Sequence, residues 1–442
     1  ALTFIEKKLI NKAMIHCLFI KEKKMDKELY ETYVRILNKE LVTAMGCTEP
    51  IAIAYAGSLA RKTLGGMPNK ILIEVSGNII KNVKSVIVPH THGNKGIETA
   101  ACIGITGGDA EAELEVISHV KEEDIIAMTE LMKSASIKVQ PLESPYSLDI
   151  RLTVSNDEHE AMVHIAGTHT HIVEMTKDNE TIVCREALKQ TIDEDYLTLT
   201  MHDIYTFAKE VEIDDVKELL DQMIECNTAI AQEGMHGDYG ANIGKVIAIR
   251  KDLPSLLKAY AAAGSDARMN GCELPVVINS GSGNQGLTVS VPLIVYAERE
   301  HLDKEKLYRA LVISNLTAIH LKTEIGRLSA FCGAVSAGAA CGAGLAYLKD
   351  ASEEVMNHTI VNALAITSGI ICDGAKASCA AKIAVSVEAG ILGYDMYMNG
   401  QQFYGGDGII SKGIENTIHN IGVLGSQGMA STDQEIIKIM CE

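Results

Sequence analysis

The chain has 442 residues, which exceeds the size of one ordinary hydrophobic core and predicts two or three domains. A net charge of −18, without a basic stripe, argues against nucleic acid as a partner. Eleven cysteines, in a chain where we identify no secretory signal, favour a reducing, cytoplasmic location over a disulfide scaffold.

The first 24 residues are rich in lysine, and we interpret them as an N-terminal extension before a start at Met25. Apolar residues at helical spacing then predict helices over 26–65, and Pro50 suits the first turn of the second helix. Cys47 or Thr48 would be its N-cap residue. A thiol at a helix N-terminus has a lowered pKa and can act as a nucleophile or base. The alternative interpretation is an ordinary capped helix start.

Residues 67–194 carry the pattern of a smaller α/β domain. Apolar and β-branched runs predict strands over 70–75, 83–88, 137–140, 148–154, 161–166 and 171–176, with helices over 96–105 and 121–134. Two His-x-His pairs, His90 with His92 and His169 with His171, could each hold zinc, since alternate strand residues point the same way. No third ligand is evident, so we expect His90 and His92 to face a substrate from a polar loop.

From residue 195 onward the sequence is almost entirely helical, with helices predicted over 203–210, 213–232, 254–263, 287–298, 303–318, 328–349, 352–370 and 375–390. Residues 328–348 carry no charge and could span a bilayer, but small residues dominate them, so we expect a buried helix and no membrane. The predicted fold is therefore α+β. A mostly helical catalytic domain, 25–66 and 195–442, would contain the α/β domain of 67–194 as an insertion.

One glycine-rich segment directly precedes the helix predicted at 287–298. Exposed backbone N–H groups there, together with the helix dipole, would bind a carboxylate or phosphate, although an ordinary turn is the simpler interpretation. The segment consists of Ser280, Gly281, Ser282, Gly283, Asn284 and Gln285.

Three cysteines among small residues, Cys332, Cys372 and Cys379, have the character of metal ligands. Thiolates are soft ligands that select zinc or iron–sulfur clusters, and three ligands would leave one metal position open for substrate. The alternative is that these cysteines fill a core rich in alanine, because cysteine is among the most buried residue types.

Four segments together resemble the L-cysteine desulfidases, which are iron–sulfur relatives of the bacterial L-serine dehydratases. The segments are 45–50, 279–286, 328–333 and 372–376, and the resemblance extends from residue 26 to the end. It implies that Cys332, Cys372 and Cys379 bind a 4Fe–4S cluster through three irons and that Cys47 is the catalytic base. Cys441 could cap the cluster.

The reaction implied is β-elimination of L-cysteine to pyruvate, ammonia and sulfide, with L-serine dehydration as the nearest alternative. The open iron would act as a Lewis acid on the β-substituent, the glycine-rich segment would hold the carboxylate, and Cys47 would remove the α-proton. A pyridoxal phosphate enzyme needs a Schiff-base lysine, and no lysine has a convincing context. A non-catalytic iron–sulfur sensor is the alternative of another class. The expected partner is a small-molecule amino acid, and the small-residue helices could also pack between subunits of a homo-oligomer.

Overall fold

The computed structural model describes residues 25–186, 193–326 and 328–441. Helices dominate, and a six-stranded sheet occupies the first half of the chain, which confirms the predicted α+β class. The described chain opens with α1 (Lys27–Glu40), β1 (Thr43–Met45) and α2 (Thr48–Leu64). Helix α1 begins after Asp26, whose carboxylate accepts hydrogen bonds from two backbone N–H groups of the first turn.

A sheet with helices packed against it forms the α/β part. Its elements are β2 (Lys70–Val75), α3 (Gly77–Val83), α4 (Gly96–Gly107), α5 (Glu122–Ser134), β3 (Ser136–Pro141), β4 (Asp149–Ser155), β5 (Glu160–Ala166), β6 (Ile172–Lys177) and β7 (Glu180–Cys184). The strand order is β3-β2-β4-β5-β6-β7, in which β2 and β3 run parallel and the other neighbours antiparallel. Ile150, Leu152 and Val154 are buried because alternate residues of β4 share the face that contacts the helices.

Helix α2 packs against α4 and across strands β4 and β5, so its side chains belong to the core of the sheet layer. The sequence predicts instead that residues 25–66, which include this helix, belong to the helical domain. The domain boundaries remain a prediction, and the packing of α2 favours a first boundary near Cys47.

The prediction of a strand over 83–88 is wrong. Helix α3 ends in this region, and only Ile87 makes an isolated bridge, to Lys95. Ile79 and Val83 are one helical turn apart and are both fully buried, so burial of one helix face stabilises the helix. A short β-branched run cannot distinguish this arrangement from a strand. Strand β7 was not predicted.

The remainder of the described chain is a helical assembly with one short strand. Its elements are α6 (Glu194–Leu197), α7 (Met201–Glu210), α8 (Lys217–His236), α9 (Ile243–Ala248), α10 (Leu253–Met269), β8 (Pro275–Val277), α11 (Gly283–Arg299), α12 (Lys304–Thr323), α13 (Gly333–Leu348), α14 (Glu353–Thr367), α15 (Cys379–Met398), α16 (Ile414–Val423) and α17 (Ala430–Cys441). Apart from α9 and α17, these helices share a second large hydrophobic core with α1.

Helix α13 lies at the centre of this core and is buried on nearly all sides. A Cβ on Gly342 would lie 2.9 Å from the Cα of Gly390, so glycine at both positions allows α13 and α15 to approach backbone to backbone. Residues 333–348 of the charge-free segment therefore form a buried helix, as predicted, whereas residues 328–332 are not helical. Among the described residues, no helix combines the length and apolar character that a membrane span requires.

A two-stranded antiparallel ladder joins β1 to β8, pairing Thr43 with Val277 and Met45 with Pro275. The buried side chain of Asn227 bonds both backbone groups of Val277, at 2.8 Å from its N–H and 3.2 Å from its carbonyl oxygen. The ladder thereby connects the segment before Cys47 to the segment before the glycine-rich loop.

Candidate active site

One cavity of about 110 Å³ contains all four cysteines selected from the sequence. Cys47, Cys332, Cys372 and Cys379 line it, together with Gly281, Ser282, Asn284 and Gln285 of the glycine-rich loop. Residues from the two ends of the chain and from its middle therefore meet at one place.

A short backbone pairing brings Cys332 and Cys372 together. The N–H of Cys332 donates to the carbonyl of Ile370 at 3.1 Å, and the N–H of Cys372 donates to that of Ala330 at 2.6 Å. Cys332 is the N-cap of α13, and Cys379 is the first residue of α15. Two of the three thiols thus lie at helix N-termini, where the dipole favours negative charge.

As free thiols, Cys332 and Cys379 resist ionisation. Burial raises the pKa of Cys332 to about 12, the neighbouring thiols add to this, and burial also raises the pKa of Cys379. The ammonium group of Lys382 acts in the opposite direction on both thiols. A bound metal deprotonates a coordinating thiol outright, so these buried thiols suit a metal-bound state better than a free thiolate.

The donor set fits an iron–sulfur cluster. Among the described residues, no three Cys, His, Asp or Glu side chains converge closely enough to hold a single metal ion. A 4Fe–4S cluster is larger than one ion, so its ligands stand further apart, and its ligands are thiolates. Cys332, Cys372 and Cys379 line one cavity, and Cys372 and Cys379 act electrostatically on Cys332, so a group of neighbouring thiols suits a thiolate-bound cluster by its chemistry.

Cys47 is the N-cap of α2 and is only 4% exposed. Its thiol donates a hydrogen bond to Oε2 of Glu49 at 3.0 Å, and Oε1 of Glu49 accepts one from Nδ2 of Asn82 at 3.1 Å. The hydroxyl of Thr48 donates to the carbonyl of Gly281 at 3.1 Å, which fixes the helix start against the glycine-rich loop.

The expectation of a lowered pKa for Cys47 is wrong. Burial raises the pKa of this thiol well above its ordinary value, and the Glu49 carboxylate raises it further. The guanidinium of Arg268 lowers it, but by less. Loss of hydration therefore outweighs the helix terminus, and the thiol keeps its proton, shared in a hydrogen bond with Glu49.

Arg268 also lines the cavity and was missed by the sequence analysis. It lies in the last turn of α10, is 2% exposed, and packs so closely on the loop that a Cβ on Gly283 would be 2.3 Å from its Nε. Its Nε has no hydrogen-bond partner among the described residues, and the same is true of the buried oxygens Asn284 Oδ1 and Gln285 Oε1. The signal available in the sequence was a lone arginine within a helix rich in small residues.

His90 and His92 are not among the residues that line the cavity. Nδ1 of His90 lies 3.0 Å from a carboxylate oxygen of Glu273, and Nε2 of His92 lies 3.1 Å from one of Glu122 at the surface. The predicted contact of these two histidines with substrate therefore gains no support from the arrangement of the site.

The C-terminal helix α17 reaches the cavity wall through an ion pair. Lys81 lines the cavity, is 1% exposed, and pairs with Asp433 of α17. The side chain of Cys441, predicted to cap a cluster, lies outside the described residues.

Comparison with known proteins identifies the family to which the sequence is similar. Residues 111–438 match the serine dehydratase alpha chain family. A UPF0597 protein of Desulfitobacterium hafniense is 55% identical over 415 residues, which cover 93% of this chain and 96% of that protein. UPF0597 proteins of Finegoldia magna and Lachnoclostridium phytofermentans are each 47% identical, and each match covers 93% of this chain and 100% of the relative.

Proposed function

Since this chain belongs to the serine dehydratase alpha chain family and is therefore a serine dehydratase-like lyase, we propose that it is an iron–sulfur-dependent L-cysteine desulfidase. The observation that carries the proposal is one cavity lined by all four thiols and by the glycine-rich loop. The substrate would be L-cysteine and the products pyruvate, ammonia and sulfide.

Cys332, Cys372 and Cys379 would hold a 4Fe–4S cluster, which when bound supplies a Lewis acid toward the β-substituent of the substrate. Soft thiolate donors and a soft leaving group belong to the same class of ligand chemistry, which favours a sulfur substituent. The N-termini of α13 and α15 add dipoles that stabilise negative charge on two of the three ligands.

Cys47 would remove the α-proton of the amino acid. The thiol must first lose its own proton, and the Glu49 carboxylate, 3.0 Å away, is positioned to accept it. The Cys47–Glu49 pair thus holds one proton before the reaction, and Cys47 takes a second from the α-carbon. The electron pair of the broken C–H bond forms the Cα–Cβ double bond as the β-substituent leaves with the electrons of its bond to Cβ.

The aminoacrylate so formed tautomerises to an imine, which water converts to pyruvate and ammonia. Negative charge develops on the substrate as the α-proton is removed. The cavity wall carries positive groups that would stabilise this charge, including the Arg268 guanidinium and the Lys81 ammonium. The hydrosulfide that departs takes up a proton, which the Cys47–Glu49 pair can return after accepting it from the α-carbon, and is released as hydrogen sulfide.

Anaerobic purification with iron retained, followed by incubation with L-cysteine and with L-serine, tests the proposal. We expect sulfide and pyruvate in equal amounts from L-cysteine. If neither L-cysteine nor L-serine gives sulfide or pyruvate, the enzymatic assignment is refuted and a non-catalytic cluster protein is favoured.

L-Serine dehydration is the second candidate, and the description of the matched family favours it. The same residues would act, with hydroxide rather than sulfide as the leaving group. Pyruvate from L-serine alone would assign the chain to the dehydratases and contradict the desulfidase proposal.

A further inference from the structure

We propose that Arg268 is the carboxylate-binding residue of the site, and that the cavity recognises the zwitterionic α-amino acid through both of its charged groups. The inference deepens the proposed function and rests on it for the identity of the substrate. Its starting point is a buried charged side chain that has no hydrogen-bond or ion-pair partner among the described residues.

The guanidinium of Arg268 is almost fully buried, yet no hydrogen bond or ion pair engages it among the described residues. Burial of a charged group without a partner is strongly unfavourable, so a site that keeps one is built for a ligand of opposite charge. The planar guanidinium binds a carboxylate through two parallel hydrogen bonds.

The surroundings of Arg268 fix where that carboxylate would lie. The guanidinium packs against Gly283, the first residue of α11, where backbone N–H groups also favour an anion. Its positive charge acts on the Cys47 thiol in the same cavity. A carboxylate held between Arg268 and the loop would therefore bring the adjacent α-carbon toward Cys47.

Two buried oxygens in the same cavity wall could accept hydrogen bonds from the α-ammonium group of an amino acid. Asn284 Oδ1 and Gln285 Oε1 have no hydrogen-bond partner among the described residues, and both side chains line the cavity. An α-ammonium group supplies three N–H donors, which match unpaired carbonyl oxygens. Donors for a carboxylate and acceptors for an ammonium thus stand side by side.

The test compares Arg268→Gln and Arg268→Lys with the wild type, and with Arg35→Lys at an exposed ion pair of α1 as the matched control. Steady-state kinetics would be measured with L-cysteine. In addition, the shift in melting temperature would be recorded with L-cysteine and with cysteamine, which is cysteine without its carboxylate. Cluster absorbance of each variant shows whether the metal site is intact.

We expect Arg268→Gln to raise KM for L-cysteine about 100-fold, the effect of losing a charge-assisted pair, with a smaller fall in kcat. Arg268→Lys should raise KM at least about tenfold, because a point charge replaces the bidentate pair. L-Cysteine should stabilise the wild type and Arg35→Lys but not Arg268→Gln, while the weak effect of cysteamine should be the same in all.

Wild-type KM values in both Arg268 variants would overturn the inference, as would an equal thermal shift by L-cysteine in the wild type and Arg268→Gln. If Arg268→Gln does not fold, Arg268→Lys decides by the same criteria. If the wild type forms no product from either amino acid, the proposed function fails. The thermal shift still decides the inference, which stands if L-cysteine stabilises the wild type and Arg35→Lys but not Arg268→Gln, and falls otherwise.

Discussion

Replacement of Glu49 by Gln separates two roles that its carboxylate can have toward Cys47. The change keeps the size of the side chain. Its amide oxygen can still accept the hydrogen bond from Cys47 or the one from Asn82, but not both, because the amide nitrogen only donates. The negative charge of Glu49 raises the pKa of the Cys47 thiol, so its removal should lower that pKa. The change also removes the group that can accept the thiol proton.

Loss of the Glu49 charge and loss of its proton-acceptor role would change kcat in opposite directions. A thiolate and a carboxylate 3.0 Å apart would repel each other by about 5 kcal/mol at an effective dielectric constant of about 20. If Glu49 acts only through its charge, the variant should therefore be more active, because the thiolate forms more readily. If Glu49 accepts the proton, the variant should lose about 10²- to 10⁴-fold in kcat.

We expect the loss, together with a change in the pH profile. Without Glu49 the thiol must ionise directly, and burial keeps its pKa high, so activity should rise about tenfold per pH unit from pH 7 to 9. The sign follows because the thiolate is the active form and accumulates as pH rises toward the thiol pKa. The wild type, in which Glu49 takes the proton, should be nearly flat over this range.

Pyruvate formation across this pH range, with cluster absorbance recorded for each preparation, is the assay. Glu28→Gln, in the first turn of α1, is a matched control that should behave as the wild type. A Glu49→Gln variant with kcat at or above the wild-type value at pH 7 would refute the proton-acceptor role.

Cys47→Ala should keep the brown cluster and lose turnover, and retained pyruvate formation would contradict its role as base. Cys372→Ala should bleach the cluster absorbance, whereas an unchanged spectrum would remove this residue from the ligand set. Asp433→Ala should lower the free energy of unfolding by about 3–5 kcal/mol, because it leaves the buried Lys81 ammonium unpaired. Its control, Glu435→Ala in the exposed pair with Lys438, should change denaturant unfolding by less than about 0.5 kcal/mol, and equal effects would contradict the argument. Gly342→Val should lower the melting temperature, since overpacking costs about 1–3 kcal/mol, and an unchanged melting temperature would show that α13 and α15 can separate freely.

The parts of the site that the sequence predicted are those in which residue type alone carries the chemistry. Cysteine is rare enough, and a segment with two glycines directly before a helix is distinctive enough, that Cys332, Cys372 and the loop at 280–285 could be selected without coordinates. Their presence around one cavity agrees with that selection, although their roles stay predictions.

Burial and partnership could not be predicted in this way. Arg268 resembles any helix-terminal arginine until the fold shows that it is enclosed, and the raised pKa of Cys47 depends on loss of water rather than on its N-cap position. His90 and His92 show the converse, because a pattern typical of a binding loop lies outside the cavity. The prediction of a strand over 83–88 was wrong because β-branched residues also suit the buried end of a helix.

The hydrogen bond from Thr48 to Gly281 joins residues 233 positions apart in the chain, and the ladder of β1 with β8 has a comparable span. Contacts of such long sequence separation form late, because a large loop must close before they contribute. On the ribosome, the first of the four cavity cysteines is synthesised long before the last, so this pocket cannot exist in a nascent chain that has not passed Cys379. Insertion of the proposed cluster would therefore have to follow synthesis of Cys379, and the cavity thiols would have to stay reduced until then.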